Sequence, residues 1–322
     1  MSKKPSRSAR QSISWAKKWD KILLLSALVV GFLFYPGQNI YTTAPDVPAP
    51  NLRALPFPMP TPAPYPVNRT GIFPGEEITA SGSAILDLDS GVFLYKRNAD
   101  MLFAPASTTK ILTALVALDR FSLDDVLTVR SLVNDGQVIG LVTGERMTLE
   151  NLLYGMLVSS GNDAAWVIAD NYPGGIEAFV AAMNEKARHL HLLKSSFTNP
   201  VGYDDPRHKM TPEDLARLAA VALSDKTVAK IVAIPQITVS DVTHSRFHSL
   251  RNVNELLGKI PGVGGMKTGW TEEAGENLVT LIERDGHRLI LVLLHSDDRF
   301  GETEKLINWI FTNYQWEEFS PS

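Results

Sequence analysis

The sequence predicts an α+β domain: an antiparallel sheet built from both chain ends, flanked by helices, with a helical subdomain inserted between them. Three observations carry this. Strand-like runs flank a tight turn at 83–95, helical periodicity with strong start signals fills the middle, and a second hairpin followed by a helix comes last.

Taken in order, residues 1–21 form a basic head. Lys3, Lys4, Arg7, Arg10, Lys17, Lys18 and Lys21 stand against Asp20 alone. An apolar run, Ile22 to Tyr35, follows and meets Pro36-Gly37. As a helix it rises about 21 Å, short of the ~30 Å hydrocarbon core of a bilayer, and extension to Tyr41 would span it. Residues 22–41 therefore read as a signal peptide or an uncleaved signal anchor. The lack of a clear small-residue cleavage site favours the anchor. The head would stay cytoplasmic and everything after residue 40 would be exported. Nine prolines between 45 and 66 suit neither helix nor sheet, so 42–75 reads as an extended tether.

The folded part is expected at 76–316. Ser83–Leu88 and Val92–Tyr95, joined at Asp89-Ser90-Gly91, read as a hairpin. Ser107 sits where a helix would start, at the positive end of its dipole, and Ile111 to Leu118 is apolar nearly all round, as in a buried helix. Between 120 and 147 only Val138-Ile139 and Leu141-Val142 look strand-like. Thr148 is a helix N-cap, and that helix stops at Ser159-Ser160-Gly161-Asn162. Asp163 begins another. Ile176, Phe179, Val180, Met183 and Ala187 mark a third, and Thr211-Pro212-Glu213-Asp214 starts a fourth. Lys267 lies on a strand before a hairpin whose arms are 277–282 and 288–294, the second arm suited to a sheet centre. Leu306, Ile307 and Ile310 mark a closing helix.

The net charge of −4 becomes about −10 once the head is set aside, which argues against a nucleic-acid surface on the folded part. The absence of cysteine removes disulfides, thiolate nucleophiles and cysteine–zinc sites. Neither G-x-S-x-G nor H-E-x-x-H occurs, and His189 with His191 would face different sides of a helix, so no metal site is expected.

What remains is S-x-x-K. Lys110 lies one turn beyond Ser107 on the same helix face, so its amine can reach the hydroxyl. The pattern is cheap, since Ser14 and Lys17 repeat it in the basic head. Company distinguishes Ser107: Ser160-Gly161-Asn162 is the only S-x-N and Lys267-Thr268-Gly269 the only K-[S/T]-G, at a helix start, an inter-helix loop and a strand. These three motifs together mark penicillin-binding proteins and class A β-lactamases.

Over about residues 78–312 the sequence resembles the serine D-alanyl-D-alanine carboxypeptidases, the low-molecular-mass penicillin-binding proteins. The likeness extends to Asn199-Pro200-x-Gly202, His208 with Thr211-x-x-Asp-Leu-Ala216, Asn252-x-Asn254-x-Leu-Leu257, Trp270-Thr271-x-x-Ala274-Gly275, and Arg299 with Lys305-Leu306 and Trp309. Tyr203 and Met210 depart from the expected Leu and Ser. No separate β-rich C-terminal domain is expected after the closing helix. The resemblance implies a β-lactamase/transpeptidase-like fold and no cofactor. It also implies peptidoglycan stem peptides as substrates and β-lactam antibiotics as covalent inhibitors.

In that frame Ser107 is the nucleophile and Lys110 its base. Lys110 must then be neutral, its pKa falling from about 10.4 to about 7–8 at a cost of ~4 kcal/mol, through burial and the nearby Lys267. Ser160 would relay a proton to the leaving amine, and Asn162 would hold Lys110 and the substrate amide. Lys267 and Thr268 would meet the substrate carboxylate, and Gly269 would let substrate backbone approach. By resemblance, the N–H groups of Ser107 and Trp270 form the oxyanion hole. Arg299 is equally a carboxylate ligand or a structural ion pair. A β-lactamase lacks its E-x-x-L-N segment here. A DD-endopeptidase uses the same residues, and a non-catalytic wall-binding or sensor domain would not need them intact.

Overall fold

The protein is described by a computed structural model over residues 7–34 and 63–318. The chain divides into two units, 1–60 and 61–322. In the first, α1 (Arg7–Leu33) is a helix of 27 residues whose apolar side chains from Ile22 onward are exposed. No helix among the described residues is long and apolar enough to cross a membrane. The extension towards Tyr41 lies outside the described residues.

The second unit is built on a five-stranded antiparallel sheet. Its strands are β2 (Gly82–Asp87), β3 (Phe93–Arg97), β8 (Val263–Thr271), β9 (Gly275–Arg284) and β10 (His287–Ser296), in the order β3-β2-β10-β9-β8. Both chain ends supply the sheet, as expected, and β10 is its centre. Along β10 the side chains alternate between two cores. Ile290, Val292 and Leu294 face the helical side, whereas Leu289, Leu291 and Leu293 face α8 (Arg299–Asn313) through Leu306, Ile307 and Ile310. A strand buried on both faces needs an unbroken apolar run, which is what 289–294 provides.

The helical middle contains α2 (Lys110–Arg120), α3 (Leu149–Leu157), α4 (Asn162–Asp170), α5 (Gly175–His189), α6 (Pro212–Ser224) and α7 (Lys226–Val232). The caps read from the sequence are made. Thr148 Oγ1 accepts from Asn151 N at 3.3 Å, and Thr211 Oγ1 from Asp214 N at 3.1 Å.

Two expectations change, and two strand pairs are added. The folded body begins well before residue 76: β1 (Tyr65–Asn68) pairs antiparallel with β11 (Tyr314–Glu317), so residues 65–75 are not tether. Pro66 is accommodated because this two-stranded sheet consists only of edges. Val138-Ile139 and Leu141-Val142 are not strands, because the N–H groups of Ile139, Gly140 and Leu141 are claimed by the Asp163 carboxylate. The strands of that region are β4 (Val126–Thr128) and β5 (Arg146–Thr148), which pair with each other. Finally, β6 (Gln236–Ser240) and β7 (Phe247–Arg251) form a hairpin after α7 that local pattern did not reveal.

Candidate active site

Ser107 does not cap a helix. It lies within a 3₁₀ turn, Ala106–Thr109, that runs directly into α2, and the residue before the turn makes no side-chain cap. The turn is held from below by Thr108, whose N–H and hydroxyl both donate to the Pro105 carbonyl at 3.2 and 2.6 Å. Ala106 has φ +47°, a left-handed conformation that costs a residue with a Cβ about 1–2 kcal/mol. The strain sits immediately before the candidate nucleophile.

Lys110 is wholly buried, and its Nζ has three neighbours: Ser107 Oγ at 2.6 Å, Asn162 Oδ1 at 2.7 Å and the Val201 carbonyl at 2.9 Å. The orientation of the Asn162 amide is set by its Nδ2, which donates to Asp135 O at 2.8 Å. Burial, and then the charge of Lys267, hold the Lys110 pKa well below its ordinary value. A neutral amine has two N–H donors and one lone pair. The Asn162 and Val201 oxygens can only accept, so they take both donors, and the lone pair is left facing the Ser107 hydroxyl. That is the pose of a general base.

The second buried amine is Lys267 on β8. Its Nζ lies 2.9 Å from Ser160 Oγ and donates to the Thr268 carbonyl at 3.0 Å. Burial, with Arg299 second, lowers its pKa to about 7. Backbone strain recurs at both partners: Ser160 has φ +61° and Met266, just before Lys267, has φ +143°. Met266 follows a register shift between Val263 and Gly265, a bulge that re-aims the strand as it reaches the lysine. A Cβ on Gly265 would strike the Val232 carbonyl at the end of α7, so the bulge is seated on that helix.

Gly269 brings the two segments together. A Cβ there would lie 3.0 Å from Pro105 O and 3.2 Å from Ser107 N, so a side chain would press the serine turn back by a few tenths of an ångström, and glycine lets β8 lie this close without that shift. Asn277, which the sequence reading placed merely on a strand, reinforces the junction. Its Nδ2 donates to Ala104 O at 2.9 Å while its Oδ1 accepts from His295 N at 2.9 Å.

A cleft of about 790 Å³ opens over this arrangement. Ser107, Ser160, Asn162, Thr268, Gly269, Trp270 and Arg299 line it, with Lys110 and Lys267 beneath. All nine residues singled out from the sequence are thus gathered in one place. Trp270 stands on the rim, 64% exposed. Arg299 Nη1 donates to the Gly269 carbonyl at 2.8 Å, and its Nε is 3.9 Å from Glu276 Oε2. No group of three or more His, Asp or Glu residues that could hold a metal occurs among the described residues.

The sequence pattern of the peptidase family described as D-alanyl-D-alanine carboxypeptidase matches residues 70–298. The chain belongs to that family. Among its relatives, the D-alanyl-D-alanine carboxypeptidase DacF of Bacillus subtilis is 33% identical over 246 residues, covering 73% of this chain and 63% of its own length. DacB2 of Mycobacterium tuberculosis is 35% identical over 71% of this chain and 79% of its own length. The crystal structure of the DD-transpeptidase of Streptomyces K15 superposes with a TM-score of 0.69 at 30% identity, over 73% of this chain and 98% of that one. The carboxypeptidase family and its fold are therefore those expected from the three motifs.

Several residues of the site escaped the sequence reading. Val201 contributes only a carbonyl, which any residue type has. Asp163 starts a helix, as its place in the sequence predicts, yet its carboxylate also accepts the three N–H groups of 139–141 and so ties down the loop that orients Asn162. Tyr203, where the resemblance implies a leucine, lines the cleft and donates from its hydroxyl to Asp135 O at 3.2 Å.

Proposed function

We propose that this chain removes the C-terminal D-alanine of peptidoglycan stem peptides through an acyl-enzyme on Ser107. The observation that carries the reading is the Lys110 amine, fully buried, held by two oxygens that can only accept, and 2.6 Å from the Ser107 hydroxyl.

In the first step the Ser107 proton passes to Lys110 as Oγ attacks the carbonyl of the penultimate D-alanine. The oxyanion would be met by the N–H groups of Ser107 and Trp270, on the two segments that Gly269 brings together, a contribution of about 3–4 kcal/mol. The leaving amine needs a proton, and the one that Lys110 took from Ser107 would reach it through the Ser160 hydroxyl, which Lys267 Nζ holds at 2.9 Å, leaving Lys110 neutral for the second step. Lys267, Thr268 and Arg299 would hold the terminal carboxylate. A carboxylate arriving there favours the charged form of Lys267, so binding itself ionises an amine poised near neutrality. Water then attacks the ester with Lys110 again as base, releasing the shortened peptide and the Ser107 hydroxyl. A β-lactam would acylate the same serine with its ring opened and no leaving group to depart, hence a long-lived adduct.

The proposal places the reaction in the cell envelope, with residues 22–41 as a membrane anchor and the basic head inside. The support is the charge step between residues 1–21 and the apolar run after it. Recovery of the intact chain in the membrane fraction is expected, and a mature N-terminus near residue 45 would overturn the anchor.

For the chemistry, the soluble part should be incubated with labelled penicillin and with a D-Ala-D-Ala peptide beside Ser107→Ala. Persistent label on the wild type, D-alanine release, and neither in the variant are expected. Rapid antibiotic turnover would point to a β-lactamase instead, and no label with no release would end the enzyme reading.

A further inference from the structure

We propose that His208 is a positioning residue for acyl transfer: its imidazole holds the turn that presents the Val201 carbonyl to Lys110. The proposal rests on the acyl-transfer reading above.

His208 is 1% exposed, and both ring nitrogens are engaged. Nδ1 lies 3.2 Å from the backbone N–H of Thr198 and 3.2 Å from Asn199 Nδ2. A backbone N–H only donates, so Nδ1 is the acceptor and carries no proton. The ring proton therefore sits on Nε2, which donates to Thr109 Oγ1 at 2.9 Å. Thr109 lies between Ser107 and Lys110 in the nucleophile motif. Burial supports this neutral tautomer, lowering the imidazole pKa to about 4.

The link then passes through Asn199. With its Nδ2 turned to His208, its Oδ1 must point the other way, where it accepts from Gly202 N at 2.8 Å, Tyr203 N at 2.9 Å and Val201 N at 3.3 Å. One amide oxygen thus organises the whole turn. That turn meets α2 twice: the Pro200 carbonyl accepts from Thr113 Oγ1 at 2.7 Å, and the Val201 carbonyl accepts from Lys110 Nζ at 2.9 Å. Gly202, at φ +93°, lies so close to the Ala106 carbonyl that no side chain fits between them. If the turn drifts, Lys110 loses one of the two acceptors that aim its lone pair at Ser107. Misplacement of a reacting group by about 1 Å can cost ~100-fold in rate.

His208→Asn, His208→Gln and His208→Phe separate the possibilities. Asn offers an oxygen where Nδ1 stands, Gln offers an N–H near Nε2, and Phe offers neither. Each variant of the full chain is reacted with labelled penicillin. Three quantities are read: the final labelled fraction, the rate constant at saturation and the half-saturating concentration. We expect His208→Gln and His208→Phe to label to near the wild-type extent but about 10- to 100-fold more slowly. Half-saturation should move little, and His208→Asn should regain most of the rate. A fall in labelled fraction at an unchanged rate would mean that His208 only supports folding, and overturns the proposal. So does wild-type speed in all three, or greater recovery by Gln than by Asn. If His208→Phe does not fold, the Asn and Gln pair still decides. Absence of label on the wild type, or label on Ser107→Ala, would instead remove the acyl-transfer reading itself.

Discussion

Lys267 Nζ lies 2.9 Å from Ser160 Oγ, in a site where the lysine is almost wholly removed from water. A buried amine with no carboxylate among its hydrogen-bond partners is an unusual expense for a folded protein, and it has measurable consequences.

The first concerns stability and pH. The folded pKa of Lys267 is about 7, against roughly 10.4 for an unfolded lysine. Between these values the unfolded chain binds a proton that the folded chain does not, so stability rises with pH across the window and falls as pH drops back towards 7. The slope is about 1.4 kcal/mol per pH unit for one such proton. Urea unfolding at pH 7.5 and 9 should show it, and Lys267→Met should lower the slope by about one proton. An unchanged slope would mean that Lys267 is charged in the folded protein.

Arg299 is the second cause of that shift, so Arg299→Gln should raise the Lys267 pKa, seen as a later onset of the same stability window. If Arg299 also holds the substrate carboxylate, KM for the D-Ala-D-Ala peptide should rise about tenfold with kcat far less affected. A change in stability alone, with KM intact, would assign Arg299 to structure.

Gly202→Ala combines a left-handed φ with a direct collision against the Ala106 carbonyl, and nothing flexible stands in the way. A loss of at least about 3 kcal/mol in unfolding free energy is expected. Gly286→Ala is the control. Its φ is +80° but its Cβ would meet open space, so only the backbone cost of about 1–2 kcal/mol should appear.

Asp163 is 2% exposed and accepts from Ile139 N and Gly140 N at 3.0 Å, Leu141 N at 3.1 Å and Ala164 N at 2.9 Å. Asp163→Asn turns one acceptor oxygen into a donor facing other donors. A loss of about 2–3 kcal/mol is expected, with faster amide hydrogen exchange at 139–141 as its local sign. Protection unchanged at those amides would show that the loop is held by other means, such as the buried His248–Glu145 contact at 2.6 Å beside it.

Legibility followed how local each signal was. The caps at Thr148 and Thr211, the central strand and the Ser107–Lys110 spacing are written within a few residues, and they formed where expected. β1 was missed because Pro66 hides a strand whose partner lies at the other end of the chain. Residues 138–142 look strand-like in sequence but are not strands, because the N–H groups of 139–141 are spent on one carboxylate from α4, which no periodicity reports.

By itself the sequence determined which side chains are proposed to carry the chemistry. Serine, lysine, asparagine and threonine have to be encoded as such, in three motifs whose order and contexts are local. Tertiary structure alone decided what makes them work together. The Val201 carbonyl on Lys110, the bare Gly269 backbone against Ser107 and the His208–Asn199 link join segments far apart in the chain. Several of these groups are backbone atoms, identical in every residue, so their function comes only from where the fold puts them.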